Sequence, residues 1–192
     1  MCEHHTVAKD NDKKERILDA GFEKFTAYGF ARTSMADIAQ AAGMSRPALY
    51  LHFDNKDEIL RSMLHRIMDD ATTAALAELS SASNAANQLD GFLQRYNGDL
   101  AMLLQSTEHG AELIEAKQGH AKSVIEKHHV QLRKGLTSWL ATNAPSASRS
   151  QINDWVDLIM MSPIGFKYDG PTLTKYRRRL STLAASVAAA MT

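Results

Sequence analysis

Apolar residues recur at spacings of three and four along nearly the whole chain, and that period predicts helices throughout. Ile17, Leu18, Gly21, Phe22, Phe25 and Tyr28 trace a first helix that Asp12 and Glu15 can cap, with residues 1 to 10 polar and loose ahead of it. Gly29 ends that helix. Asn55 and Glu58 have capping spacing for a long helix through Ile59, Leu60, Met63, Leu64, Ile67, Ala71 and Ala74, and Ser80 to Ser83 break the pattern. Leu89, Phe92, Leu93, Tyr96, Leu100, Leu103 and Leu104 mark the next stripe. Thr107 can cap a short helix through Ala116, and Gly119 separates it from a helix ending near Thr142 with Ile125, His128, Leu132, Leu136 and Trp139 aligned. After a loop from Asn143 to Ser148, a further helix carries Ile152, Trp155, Ile159 and Met160, and Pro163 to Pro171 read as irregular. A last helix from about Leu173 aligns Tyr176, Leu180, Leu183, Val187 and Met191. No strand alternation appears, so the predicted fold is all-α.

Between the first and the long helix, Ala31 to Lys56 follows a different pattern: two very short helices around a glycine. Ile38, Ala39 and Ala42 turn one apolar face inward, and Ser34 with Asp37 has the spacing of a capping box. Gly43 stands where that helix must stop and φ > 0 costs little. Ser45 can cap the second helix, whose first turn tolerates Pro47. Leu49 and Phe53 anchor it, leaving Arg46, Ala48, Tyr50 and His52 outward. This is the outline of a helix-turn-helix.

The positions Ile17, Ala20, Phe25, Gly29, Thr33, Ile38, Ala39, Ala42-Gly43, Leu49-Tyr50, His52-Phe53 and Lys56 together resemble the N-terminal module of the tetracycline-repressor (TetR) family, from about Glu15 to Leu64. Pro47 stands where many relatives carry Gly. The resemblance implies a three-helix DNA-binding head over residues 1–56, with a long fourth helix continuing as connector to about residue 80. A larger helical-bundle body for effector binding and dimerisation would fill 57–192. It implies a cytoplasmic transcriptional regulator, a repressor, that binds double-stranded operator DNA of palindromic form as a homodimer and is released by a small-molecule effector. No cofactor is implied.

Within that reading the DNA-binding candidates are Thr33, Ser34, Ser45, Arg46, Pro47, Ala48, Tyr50, His52 and Lys56. Arg46 can bond O6 and N7 of one guanine together, and Ala48 can offer a methyl to thymine. Tyr50, His52 and Lys56 are candidate phosphate contacts, Lys56 by its matching family position and its place beside exposed backbone N–H groups. Thr33, Ser34 and Ser45 can cap helices; for Thr33 and Ser34, capping alone and capping with a phosphate contact both remain open. In the body, Met102, His109, His128, Trp155, Ile159 and Met160 could line an effector pocket, against the plainer reading of ordinary core. The alanine-rich last helix and Trp155 suggest a four-helix dimer interface with Leu180, Ala184, Val187 and Ala188.

Composition bounds the alternatives. The 192 residues balance 22 Lys+Arg against 22 Asp+Glu, and the head is close to balanced too, so bulk charge does not draw this chain to nucleic acid. A DNA reader must then rely on where charges sit. The 44% apolar share supports an ordinary core, no apolar run approaches a membrane span, and Cys2 alone fits a reducing compartment. No secretory signal is visible. Glu126 to His129 contains one Glu-x-x-His, half of a di-iron bundle pattern, with no second copy. Two rivals therefore stand beside the regulator: a helical-bundle metalloprotein or enzyme, and a DNA-binding protein without an effector.

Overall fold

A computed structural model describes the backbone over residues 3–99, 101–102, 107–109, 118–168 and 170–191, with side chains over the same residues from Asp10 onward, apart from 118–125. All regular structure among the described residues is helical. The helices are α1 (Glu3–Tyr28), α2 (Met35–Ala41), α3 (Arg46–Tyr50), α4 (Lys56–Glu78), α5 (Ala85–Leu93) with a π-helical continuation Gln94–Gly98, α6 (Gln118–Asn143), α7 (Arg149–Gly165) and α8 (Leu173–Ala190). The chain divides into two compact units, 1–67 with 104–124, and 68–103 with 125–192.

The first unit is built on Ile17, Phe25, Ile38, Leu49, Ile59 and Met63, each fully buried. Gly21 lets α1 and α4 approach closely, since a Cβ there would lie 2.8 Å from Ile59 Cγ2. Arg66 of α4 ties back to α1 through Glu15 Oε2 at 2.6 Å and Asp19 Oδ1 at 2.7 Å. The head was expected to end at residue 56. Here the unit runs into α4 as far as Ile67, because Ile59, Leu60 and Met63 belong to the same core as α1 to α3.

In the second unit, Tyr176, Leu180, Leu183, Ala184 and Val187 form the buried face of α8, which packs on α5. Gly135 of α6 faces Leu76 of α4 so closely that a Cβ would collide with its Cδ2. Trp139 Nε1 donates to Gln88 Oε1 at 2.9 Å, pinning α6 to α5. No described helix is long and apolar enough to cross a membrane.

Three boundaries differ from the sequence reading. Helix α1 begins at Glu3 instead of Asp12, as no Gly or Pro interrupts residues 3 to 20 and Asp10 pairs with Lys14 one turn on. Helix α6 begins at Gln118, so Gly119 lies in its first turn. Helix α7 continues through Pro163 to Gly165; the proline falls in the last turn, where its missing N–H interrupts only one helical bond. The short helix expected from Thr107 to Ala116 lies mostly outside the described residues.

Candidate nucleic-acid interface

Helix α3, the candidate reader, has five residues and could not stand alone, so its neighbours fix it. Ser34 caps α2 with the full reciprocal box: its Oγ accepts from Asp37 N–H at 3.2 Å, and its own N–H donates to Asp37 Oδ2 at 2.8 Å. The Ser34 hydroxyl also donates to Asp37 Oδ2 at 2.6 Å, and this bond first, the one from Ser34 N–H second, holds the Asp37 carboxyl below its usual range. Gly43 makes the turn at φ +65°, and the Arg16 guanidinium donates to the Ala42 carbonyl at the end of α2. Ser45 Oγ then accepts from Ala48 N–H at 3.3 Å and starts α3. Leu49 is fully buried beneath it.

Above Leu49, α3 exposes Ser45, Arg46, Pro47 and Tyr50, with Ala48 half-buried. Arg46 Nη2 donates to Tyr50 Oη at 3.3 Å, one turn away, and its guanidinium lies 5.6 Å from the Tyr50 ring centre. A guanidinium held along the helix in this way loses less freedom when it meets a base edge. Sequence spacing missed Leu51, the residue closing α3, which is 84% exposed. Its only signal was its place between Tyr50 and His52.

Three expected contacts take another role. Thr33 is 3% exposed, and its hydroxyl hydrogen-bonds the carbonyls of Gly29 at 2.9 Å and Lys24 at 3.2 Å. It closes the turn after α1 instead of facing a phosphate. Lys56 Nζ donates to the carbonyls of Phe30 (2.8 Å), Thr33 (2.9 Å) and Ala31 (3.2 Å) and sits 4.5 Å from the Phe30 ring centre. An ammonium has three protons, so all three are engaged within the fold. His52 turns inward: its side chain is 8% exposed and Nδ1 lies 3.2 Å from Asp10 Oδ1 on α1.

The same stretch matches a known family. Residues 17–63 fit the model of bacterial regulatory proteins of the tetR family. The chain is 33% identical over 152 residues to the HTH-type transcriptional regulator TtgR of Pseudomonas putida, covering 71% of this chain and 68% of that one. This protein belongs to the tetR family. It is also 27% identical over 180 residues to the regulator ArpR of Pseudomonas putida, across 85% of this chain and 79% of the other. A TetR/AcrR-family regulator from Thermobifida fusca shares the fold with a TM-score of 0.72 at 15% identity, covering 90% of this chain and 96% of that one. The protein is therefore a DNA-binding transcriptional regulator with a helix-turn-helix head and a helical body.

The body residues of this tetR-family protein sort differently from their expected grouping. His109 belongs to the first unit, where its N–H donates to the Thr26 carbonyl at 3.2 Å. Met102, His128, Trp155, Ile159 and Met160 belong to the second. His128 and Ile159 are buried in that unit's core, while Met102 is 48% exposed. The buried imidazole is engaged: His128 Nδ1 lies 3.2 Å from Thr72 Oγ1 and Nε2 lies 3.6 Å from Asp69 Oδ1. Leu180, Ala184 and Val187, expected at a dimer interface, are at most 2% exposed within one protomer. Their stripe faces α5, so it holds the protomer together and leaves nothing for a second copy. Ala188 and Trp155 remain half-exposed, and Leu158 and Met161 of α7 are 46% and 59% exposed.

Proposed function

We propose that this regulator is a homodimeric repressor that reads a near-palindromic operator with α3 and leaves it when a small molecule binds the body. One observation carries the reading: α3 is fastened from below by Leu49 while Arg46 and Tyr50 stand aligned on its outer surface. Arg46 is the base reader, with guanine O6 and N7 as its partners. Tyr50, Ser34 and Ser45 supply hydroxyls to the flanking phosphates, and Ala48 offers a methyl at the edge of the contact. Thr33, His52 and Lys56 position the reader from within the head. A two-fold dimer would place two such helices in successive major grooves, roughly 34–36 Å apart or somewhat more. For the dimer contact, exposure favours Trp155, Leu158 and Met161 of α7 with Ala188 of α8. The effector reading keeps Met102, His128, Trp155, Ile159 and Met160, an apolar set with one imidazole.

Selection from a random duplex library at moderate salt tests the reading. An enriched inverted repeat, bound by a dimer in sedimentation, is the expected result; no enrichment and no salt-dependent binding would sink it. A thermal-shift screen of small molecules, followed by release of the selected operator, tests the effector, because a ligand of the folded state raises its stability.

A further inference from the structure

The outermost line of the reader helix is not its polar pair. At about 100° per residue, Pro47 and Leu51 lie about 40° apart on the helix and each about 160° from Leu49. Leu51 keeps helical dihedrals (φ −71°, ψ −16°), so the wheel holds through it. Leu49 is fully buried, so the direction opposite it points straight out of the head, and Pro47 and Leu51 occupy it. Arg46 and Tyr50 form a parallel ridge one step round, joined by their own hydrogen bond. A single exposed leucine is ordinary on a protein surface. This one is 84% exposed, stands one turn from an exposed proline, and crowns the helix a helix-turn-helix inserts into the major groove.

We propose that Pro47 and Leu51 form an apolar ridge that reads thymine 5-methyl groups in the operator, beside the base contacted by Arg46. The inference rests on α3 being the reader. Neither side chain has a hydrogen-bond donor or acceptor, so neither can pair with the polar atoms of a base edge. The thymine methyl is the apolar group the major groove offers. Covering it removes methyl and ridge from water together, whereas a ridge set against a guanine or cytosine edge would strip polar atoms of water and return no bond.

The test replaces each thymine of the selected operator by deoxyuridine, one position at a time, which deletes the methyl and leaves the pairing intact. For the natural protein, one or two positions in each half-site should weaken binding about fourfold per methyl lost. Leu51→Ala and Pro47→Ala should each bind the thymine operator more weakly, and the thymine-to-deoxyuridine ratio at those positions should shrink toward one. That ratio is internal to each variant, so a small loss of folded protein cancels. Deoxyuridine without effect at every position, while Arg46→Ala still relaxes base preference, would overturn the ridge and leave the reader standing. So would Leu51→Ala abolishing self-association without DNA while keeping the full methyl penalty, since the ridge would then join two copies. If no inverted repeat is selected at all, the reader assignment fails and the ridge with it.

Discussion

Around the two short helices of the head, three side chains go to backbone carbonyls: Thr33 to Gly29 and Lys24, Lys56 to Phe30, Ala31 and Thr33, Arg16 to Ala42. In the body, polar side chains also pair with one another. Asp90 Oδ1 accepts from Ser181 Oγ at 2.9 Å and from Gln94 Nε2 at 3.1 Å, Arg177 meets Asp99, Arg95 meets Glu78, and His128 meets Thr72. The difference follows from where backbone carbonyls are left over. Lys24 apart, the carbonyls held in the head lie just past the end of α1, in the loop before α2 and at the C-cap of α2, where no helical N–H follows to take them. Long helices satisfy their own backbone, so their polar side chains are left to join helix to helix.

The sharpest way to break this comparison is to ask which unit a residue serves. Leu180→Ala should lower the free energy of unfolding by ~2–5 kcal/mol through a cavity in the protomer. Denaturant unfolding checks it, and sedimentation should find any dimer still formed by folded protein. Met161→Glu should do the reverse, shifting association with little change in unfolding.

In the head, Lys56→Met would leave three carbonyls without their charged donor, costing roughly 2 kcal/mol because water can reach some of them. DNA binding should weaken, and the slope of log affinity against log salt should stay the same. A slope flatter by about one would mean Lys56 touches phosphate after all. Arg46→Ala should cost ~1–3 kcal/mol in DNA binding at one base pair and leave thermal stability unchanged, as measured on selected and mismatched duplexes.

Gly43→Ala should cost ~1–2 kcal/mol of stability, because φ is +65° and the new Cβ would lie 3.1 Å from Arg16 Nη2. The smallest effect concerns acid. Ser34 holds the Asp37 carboxyl below its ordinary value of 3.8, so this contribution is present above that pH and is lost as pH falls through the folded value. The stability gap between the natural protein and Ser34→Ala should therefore narrow below about pH 4. It should not close, since the bond from Asp37 N–H to Ser34 Oγ survives protonation.

Legibility in the sequence divides along the same line. Caps and turns act within a few residues, so Ser34 with Asp37, Ser45, Asn55 with Glu58, and Gly43 could all be placed from spacing. Lys56 and His52 could not, because their targets lie far along the chain and a long side chain's direction is set by what it meets there. The family match favoured an outward lysine; three carbonyls turned it inward. In the body, periodicity found the stripe of Leu180, Ala184 and Val187 but carried no information about its partner. A helix face looks the same in sequence whether it packs on α5 or on another protomer.

Helix α3 divides its labour cleanly between residues. Those that fasten it (Ser45, Leu49 and, through the loop before α2, Lys56) barely overlap with those it displays (Arg46, Pro47, Tyr50 and Leu51). Such a head is a socket with an exchangeable bit. Randomising the four displayed positions would explore new operators while the fastening stayed fixed, and most members of that library should still fold.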